Sequence, residues 1–342
     1  MTAQAPTWKE ARFAASGVKS LVWQHGDRLV DWAAGGGSWA ADGGAHVDSK
    51  MLLGFPFDGA ISLPDSDYAA IFTKFGTKAL LFEDGKLLRE LNRSYYMAPA
   101  FEYPISLFRL ASGRAVVAHC PEAYNRLRID DLASGEVLAV ASERAVDFFH
   151  SRLRASPDGR FLASAGWHWH PIDEVRLVDV EAALRDPATL DACGTSVDAM
   201  RYGTSAVFDA QGRLLVSLVG EGFDDVLAED VPEESSSAVL RIIEPARPHE
   251  FRDWPFEPAG ALMPVGAQHV LTLHGHPRLY AFESGELVHE WPGIAVQAPC
   301  SATPSKSDQS VFALDIANAR IAIAHDDAVT VLSFEILQKA ST

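Results

Sequence analysis

"SPDGRFLASAGWHWHPIDEVRLVDV", residues 156–180, holds two runs of alternating apolar residues on either side of a short polar segment. The first run, 160–166, follows a Pro-Asp-Gly turn, and the second run is 174–180. Runs of period two that are bounded by turn residues are typical of β-hairpins. The stretch therefore predicts two antiparallel strands, with the sequence Trp-His-Trp-His-Pro of residues 167–171 in the loop that joins them.

Hairpins of this kind recur along the whole chain. Seven units, each with two apolar runs around a short polar turn, span residues 20–32, 78–91, 126–140, 175–190, 238–254, 278–291 and 320–334. Further strand pairs lie between them, at 60–76, 105–119, 151–166 and 205–220. Successive turns are 40 to 59 residues apart and lie at Gly26, Gly85, Gly135, Pro187, Pro245, Gly285 and Asp326. This spacing matches a four-stranded propeller blade of about 40 to 50 residues with loop insertions.

The repeats predict a closed ring, because one four-stranded sheet cannot bury both of its faces alone. Seven hairpins predict an all-β, seven-bladed β-propeller that residues 1–342 form as one domain. Six blades is the alternative if the first hairpin is not a full sheet. We expect residues 10–17 to supply one strand of the first blade, and pairing of the N- and C-terminal segments to close the ring. The glycine-rich residues 32–49 are expected to form a flexible connection.

Parts of the repeat resemble a known family. Residues 175–180 and 127–138 resemble the third strand and turn of WD-repeat propellers, with Asp179 and Asp130 at the place of the repeat's aspartate. Residues 156–166 are similar to the inner hairpin of WD-repeat and related bacterial propellers. The tryptophan of the repeat is missing from both copies. The resemblance implies the propeller fold, and a fold alone does not specify a function.

Charge and composition narrow the classes of partner. The net charge is −17, from 29 Lys and Arg against 46 Asp and Glu, and this would repel a phosphate backbone or an anionic bilayer. We therefore expect no nucleic-acid or membrane partner. No segment approaches the roughly 18 apolar residues of a spanning helix, and residues 1–17 lack the pattern of a secretory signal. We expect a cytoplasmic monomer whose three scattered cysteines form no disulfide.

The loop at 167–171 aligns with loops in other blades. Pro121, Pro171 and Pro277 fall in register after the second strands of blades three, four and six. Because the connections of an antiparallel sheet alternate between its two ends, all second-to-third-strand loops open onto one face of the ring. Blade five has an acidic insertion at the same place, residues 221–237, with seven carboxylates. The candidate side chains on this face are Trp167, His168, Trp169, His170, His119, Cys120, His274, His276, Glu221 and Asp224.

This face has two functional interpretations and one structural interpretation. We predict that it binds a protein or peptide, as a WD-repeat-like scaffold without a cofactor. The alternative is an enzyme or small-ligand site, with a divalent metal bound by His168, His170, His274 and His276, since imidazole and carboxylate are common zinc ligands. In the structural interpretation, the prolines end strands, the histidines bind backbone of a neighbouring blade and the tryptophans pack.

The remaining candidates are weaker. Residues 92–104 group Tyr95, Tyr96, Phe101 and Tyr103, which we expect to pack between blades, although tyrosine enrichment is also typical of interfaces. The acidic insertion is expected to be a solvated loop, with a docking strip for a basic partner as the alternative. No Gly-x-Ser-x-Gly, His-Glu-x-x-His or Cys-x-x-Cys motif occurs. An enzymatic activity would therefore depend on the histidines of the shared face.

Overall fold

The computed structural model describes residues 6–48, 51–168, 172–197, 202–219, 238–255, 260–282, 284–298 and 309–336. Within these ranges the chain forms seven antiparallel sheets, and each sheet provides the four strand positions of one blade. The prediction of a seven-bladed β-propeller is confirmed, and the six-bladed alternative is wrong.

The first strand of the chain, β1 (Thr7–Ala14), belongs to the last blade. Blades one to three follow, each with four short strands in chain order. Blade one consists of β2 (Val22–Gln24), β3 (Arg28–Asp31), β4 (Gly37–Ala40) and β5 (His46–Val47). Blade two consists of β6 (Gly59–Ser62), β7 (Tyr68–Phe72), β8 (Ala79–Glu83) and β9 (Lys86–Glu90). Blade three consists of β10 (Ile105–Arg109), β11 (Ala115–His119), β12 (Arg128–Asp131) and β13 (Val137–Val140).

The other four blades repeat this order with local variations. Blade four consists of β14 (Phe148–Phe149), β15 (Leu153–Ala155), β16 (Phe161–His168), β17 (Ile172–Asp179) and β18 (Thr195–Ser196). Blade five consists of β19 (Tyr202–Phe208), β20 (Leu214–Val219), β21 (Val239–Ile243) and β22 (Phe251–Pro255). Blade six consists of β23 (Ala261–Val265), β24 (His269–Ala281), β25 (Leu287–Glu290) and β26 (Val296–Gln297). Blade seven consists of β27 (Val311–Asp315), β28 (Arg320–His325), β29 (Ala328–Glu335) and β1.

Blade four contains the hairpin of residues 156–180. Its second and third strands, β16 and β17, pair from Phe161 opposite Asp179 to His168 opposite Ile172. Its first strand is split into β14 and β15, which both pair with β16. Instead of a tight turn, the helix α1 (Val180–Arg185) and a 3₁₀ helix (Pro187–Ala192) connect its third and fourth strands. The side chain of Asp179 accepts a hydrogen bond from the backbone N–H of Ala182 and so caps the helix.

The ring is closed by strands from both ends of the described chain. β1 pairs along its full length with β29, from Thr7 opposite Glu335 to Ala14 opposite Ala328. The expectation that residues 10–17 contribute to the first blade is therefore wrong, because blade one already has four strands of its own. The third and fourth strands of blade one lie in residues 32–49. The prediction of a flexible connection there is therefore wrong. The hairpin at 20–32 is consequently a first-to-second-strand hairpin, while most others join third and fourth strands.

The core lies between the blades. One apolar cluster occupies each of the seven contacts between neighbouring sheets. Between blades three and four, for example, Val116 and Ile129 pack with Leu162 and Val178, and all four are almost fully buried. Each sheet thus buries both faces against its two neighbours. This is the physical reason for a ring, because no terminal sheet is left with an uncovered apolar face.

The first strands of the blades surround the central axis. Successive first strands contact one another from β27 through β2, β6, β10, β15 and β19 to β23. The fourth strands lie at the outer edge of each sheet. Two kinds of segment therefore share one face of the ring, namely the connections between blades and the loops between second and third strands. We call this surface the connection face.

Candidate functional site

His119 lies at the end of β11 and is almost fully buried. Its Nε2 donates a hydrogen bond to Asp130 Oδ2 on the neighbouring strand at 3.0 Å, and the Arg128 side chain donates to the other oxygen of the same carboxylate at 2.7 Å. Burial lowers the pKa of His119, and the Asp130 carboxylate opposes this shift. His119 is therefore a neutral core histidine, held by the aspartate that the WD-repeat resemblance had singled out.

His168 occupies the end of β16 and is half-buried. Its Nε2 hydrogen-bonds the Glu174 carboxylate on β17, and its Nδ1 lies 2.9 Å from the carbonyl oxygen of Asp147. The Arg176 side chain donates to the same Glu174 oxygen at 3.0 Å. The hydrogen bond to Glu174 raises the pKa of His168, and partial burial opposes the shift.

His276 in blade six also has a carboxylate and an Arg as neighbours. Its Nε2 lies 2.9 Å from Glu290 Oε2 on β25, and Arg278 Nε lies 3.7 Å from the same oxygen. β24 contains a turn at Gly275, which has a φ of 74°. His274 lies just before this turn and is paired with Gln297 of β26. In blades three and four the histidine lies on the second strand, and the carboxylate and the Arg lie on the third strand. In blade six, His276 and Arg278 share one strand and the carboxylate lies on the next.

Of the four predicted metal ligands, the structure describes His168 in blade four and His274 and His276 in blade six. His168 and His276 each hydrogen-bond a carboxylate in their own blade. Trp169, His170, Glu221, Asp224 and the whole insertion at 221–237 lie outside the described residues. Among the residues that are described, no group of three or more His, Cys, Asp or Glu side chains is suited to hold a metal ion. Cys120 and Cys193 are buried free thiols, and burial raises the pKa of Cys193 to about 12.

Trp167 is buried at the inner end of a row of stacked rings. It stacks on Phe149 with 4.1 Å between ring centroids, Phe149 stacks on Tyr124 at 3.9 Å, and Tyr124 stacks on Tyr96 at 5.2 Å. Burial raises the pKa of Tyr124 to about 12, helped by the hydrogen bond from its hydroxyl to Asp147. The row runs from the core of blade four to the surface. Its outer end is the connection between blades two and three.

The four aromatic residues of that connection divide into two pairs. Phe101 and Tyr103 are 1% and 2% exposed, as expected for side chains packed between blades. Tyr95 and Tyr96 are 83% and 53% exposed. The buried Arg93 guanidinium packs over the rings of Phe101 and Tyr103. It also donates to the carbonyls of Gly76, Ala98 and Phe101.

Exposed apolar side chains concentrate in three consecutive inter-blade connections. Leu52 and Phe55 lie between blades one and two, Tyr95 and Tyr96 between blades two and three, and Val146 between blades three and four. Leu52 is 100% exposed. Most of the other large apolar side chains exposed in the described residues lie on fourth strands at the outer edges of the blades. We call these five side chains the apolar arc.

The mouth of the central channel on the connection face forms a cavity of about 80 Å³. Its lining includes the cationic side chains of Lys74, Arg152 and Arg154 and the carboxylate of Glu102. The polar side chains of Ser205 and Gln309 also line it. Sequence reasoning missed these residues. A signal was available in "SRLRAS", residues 151–156, because two arginines at alternating positions are unusual on a strand that surrounds the axis of a propeller.

Comparisons with known proteins agree with the fold. The sequence matches no protein-family model and no curated protein. Among solved structures, the chain is similar to a chain of Kuenenia stuttgartiensis hydrazine synthase, with a TM-score of 0.63 and 12% identity over 93% of this chain and 96% of that chain. At this identity the likeness concerns the propeller fold alone. In the part of the chain that the structure describes, no helix has the length and apolar character needed to cross a membrane.

Proposed function

We propose that this propeller is a cytoplasmic binding scaffold that takes a protein or peptide partner on its connection face. The observation that carries the proposal is the apolar arc, because its five exposed apolar side chains belong to three consecutive connections on a single face. Clustered exposed apolar side chains are typical of interaction sites. Tyrosine is enriched at such interfaces because it combines a large apolar ring with a polar hydroxyl.

The charge around the apolar arc indicates the chemistry of the partner. Exposed carboxylates flank the arc in sequence, with Asp48 and Asp58 around the first connection and Glu143 and Asp147 beside Val146. The chain as a whole carries −17. A partner segment with apolar residues flanked by Lys or Arg would match this surface, and opposite charge would accelerate its association. High salt should therefore slow association more than it speeds dissociation.

The histidines have a supporting role in this proposal. Each described His, carboxylate and Arg set joins adjacent strands of one blade close to the connection face, so it positions loops that the partner would contact. The metal-dependent alternative, with His168, His170, His274 and His276 as ligands, stays a prediction. Elemental analysis of the purified protein tests it, together with thermal unfolding with and without added zinc.

Substitutions in the apolar arc test the proposal. The double variant Tyr95→Ser/Tyr96→Ser removes the most exposed rings and should lose the partner in affinity purification from the native host. Leu87→Ser/Leu88→Ser is the matched control, because both leucines are exposed on β9, the outer strand of the adjacent blade. A protein recovered with wild type and control but depleted about tenfold with the tyrosine variant supports the proposal. Equal recovery with both variants contradicts it.

A further inference from the structure

The cavity at the mouth of the central channel has a charge opposite to that of the whole chain. Lys74, Arg152 and Arg154 contribute three positive charges to its lining, and Glu102 contributes one negative charge. Among the described residues that line the cavity, the formal balance is therefore +2, in a protein of net charge −17. The exposed Asp58 carboxylate accepts from the backbone N–H of Lys74 and is not part of the lining.

These cations come together only in the folded ring. Lys74 follows the second strand of blade two, whereas Arg152 and Arg154 belong to the first strand of blade four and its approach. Blades five and seven add Ser205 and Gln309. Arg154 is accessible to water, yet the surrounding blades enclose it, and this desolvation lowers the pKa of its guanidinium. The Glu102 carboxylate opposes this shift, and a bound anion would favour the charged guanidinium further.

The cationic groups are held in place by the surrounding backbone. Arg152 has a left-handed φ of 44°, unusual for a residue with a side chain, and its Nε donates to the carbonyl of Ala165 at 3.2 Å. The Lys74 carbonyl accepts from the backbone N–H of Tyr103 at 2.8 Å. The Lys74 ammonium lies 3.5 Å from Gln309 Oε1. Backbone strain that persists at a charged cavity is common at binding sites.

Gln309 provides a further donor. Its Nε2 is buried and has no hydrogen-bond acceptor among the described residues. A buried amide donor without an acceptor is unfavourable, so it calls for an explanation. Gln309 is among the lining residues, so the cavity combines three cations with a side-chain amide whose donor lacks a described acceptor.

We propose that the mouth of the central channel binds a small oxyanion, the carboxylate or phosphate group of a compact metabolite, through Lys74, Arg152 and Arg154, with the Gln309 amide as a further donor. The balance of +2 fits a dianion. The volume of about 80 Å³ suits one or two oxyanion groups. This inference is independent of partner binding through the apolar arc.

Isothermal titration calorimetry at low ionic strength tests the proposal with two probes, inorganic phosphate and malonate. We expect saturable binding of at least one probe to the wild-type chain. Binding of phosphate alone, malonate alone or both would identify the preferred oxyanion. Arg154→Gln and Lys74→Gln should each weaken binding about tenfold or more, the usual effect of removing one charge-assisted hydrogen bond. Arg109→Gln is the control, because Arg109 ends the first strand of blade three at the opposite face of the ring.

A second readout uses only the wild-type chain and so does not depend on the folding of variants. Acetylation of lysines is followed by mass spectrometry with and without the probe that binds. Bound anion should protect Lys74 and leave Lys86, an exposed lysine on the outer strand of the same blade, equally reactive. No saturable binding of either probe, equal weakening by Arg109→Gln, or unchanged acetylation of Lys74 would overturn the proposal.

Discussion

His119 and His168 occupy equivalent places in neighbouring blades, yet their pKa values shift in opposite directions. Both rings hydrogen-bond a carboxylate on the adjacent strand. His119 is almost completely enclosed, so desolvation of the imidazolium dominates and lowers its pKa. His168 keeps contact with water, so the hydrogen bond to Glu174 dominates and raises its pKa. Burial rather than the identity of the partner thus decides the direction of each pKa shift.

The sequence could place these histidines at one end of the blades, because the prolines that follow them fall in register. It could not predict which carboxylate each histidine would hydrogen-bond. Asp130, Glu174 and Glu290 lie at different distances along the chain from their histidines and become neighbours only through strand pairing. The same limit applies to Tyr96 and Tyr103, because their exposure depends on packing between blades that are distant along the chain.

His150 gives the protein a predictable response to acid. It is fully buried with its Nδ1 3.1 Å from Ser164 Oγ, and burial lowers its pKa to about 3. An imidazole in the unfolded chain has a pKa of about 6.5. Between these values the unfolded state binds the additional proton, so stability contributed by this group is present above pH 6.5 and is lost as the pH falls towards 3.

Urea unfolding at several pH values measures this effect. We expect the free energy of unfolding to decrease below pH 6.5, with His150 contributing up to about 1.4 kcal/mol per pH unit. His150→Gln should reduce that slope, whatever its effect on stability at pH 7.5. His249→Gln, at an exposed position, should leave the slope unchanged. An identical slope for the His150 variant and the wild type would contradict the assignment.

At the scale of elements, the hairpin pattern predicted most strands because period-two alternation and turn residues are local signals. The glycine-rich segment shows where local signals fail. Gly35 and Gly36, with φ of 100° and 87°, make a tight turn into β4, so these residues serve a sheet rather than a flexible connection. The placement of β1 had no local signal at all, because its partner β29 lies more than 300 residues along the chain.

Removal of β1 tests the closure of the ring. Deletion of residues 1–17 should leave the edge of β29 unpaired and uncover Trp291, whose ring contacts Trp8. We expect a large drop in the midpoint of thermal unfolding and a tendency to associate, measured by calorimetry and size-exclusion chromatography. A synthetic peptide of residues 6–17, added in trans, should restore much of the lost stability. A truncated chain that unfolds at the wild-type temperature would show that β1 does not close the ring.

At the scale of the whole molecule, the connection face has two zones that differ in charge and in polarity. The channel mouth at the centre is cationic, while the sector with the apolar arc is apolar and flanked by carboxylates. The two proposals, anion binding at the centre and partner binding at the rim, therefore use different contacts. Variants of Lys74 or Arg154 should therefore leave partner recovery unchanged in buffers without the anion, and the tyrosine variant should leave anion binding unchanged.

Photo-cross-linking in cells tests the central claim most directly. A photoreactive phenylalanine analogue is placed at Tyr96 in the apolar arc or at Leu87 on the outer strand of blade two, and cross-linked products are identified by mass spectrometry. The proposed function predicts a discrete protein adduct from position 96 that is absent from position 87. The absence of an adduct at position 96, or the same adducts from both positions, would contradict it.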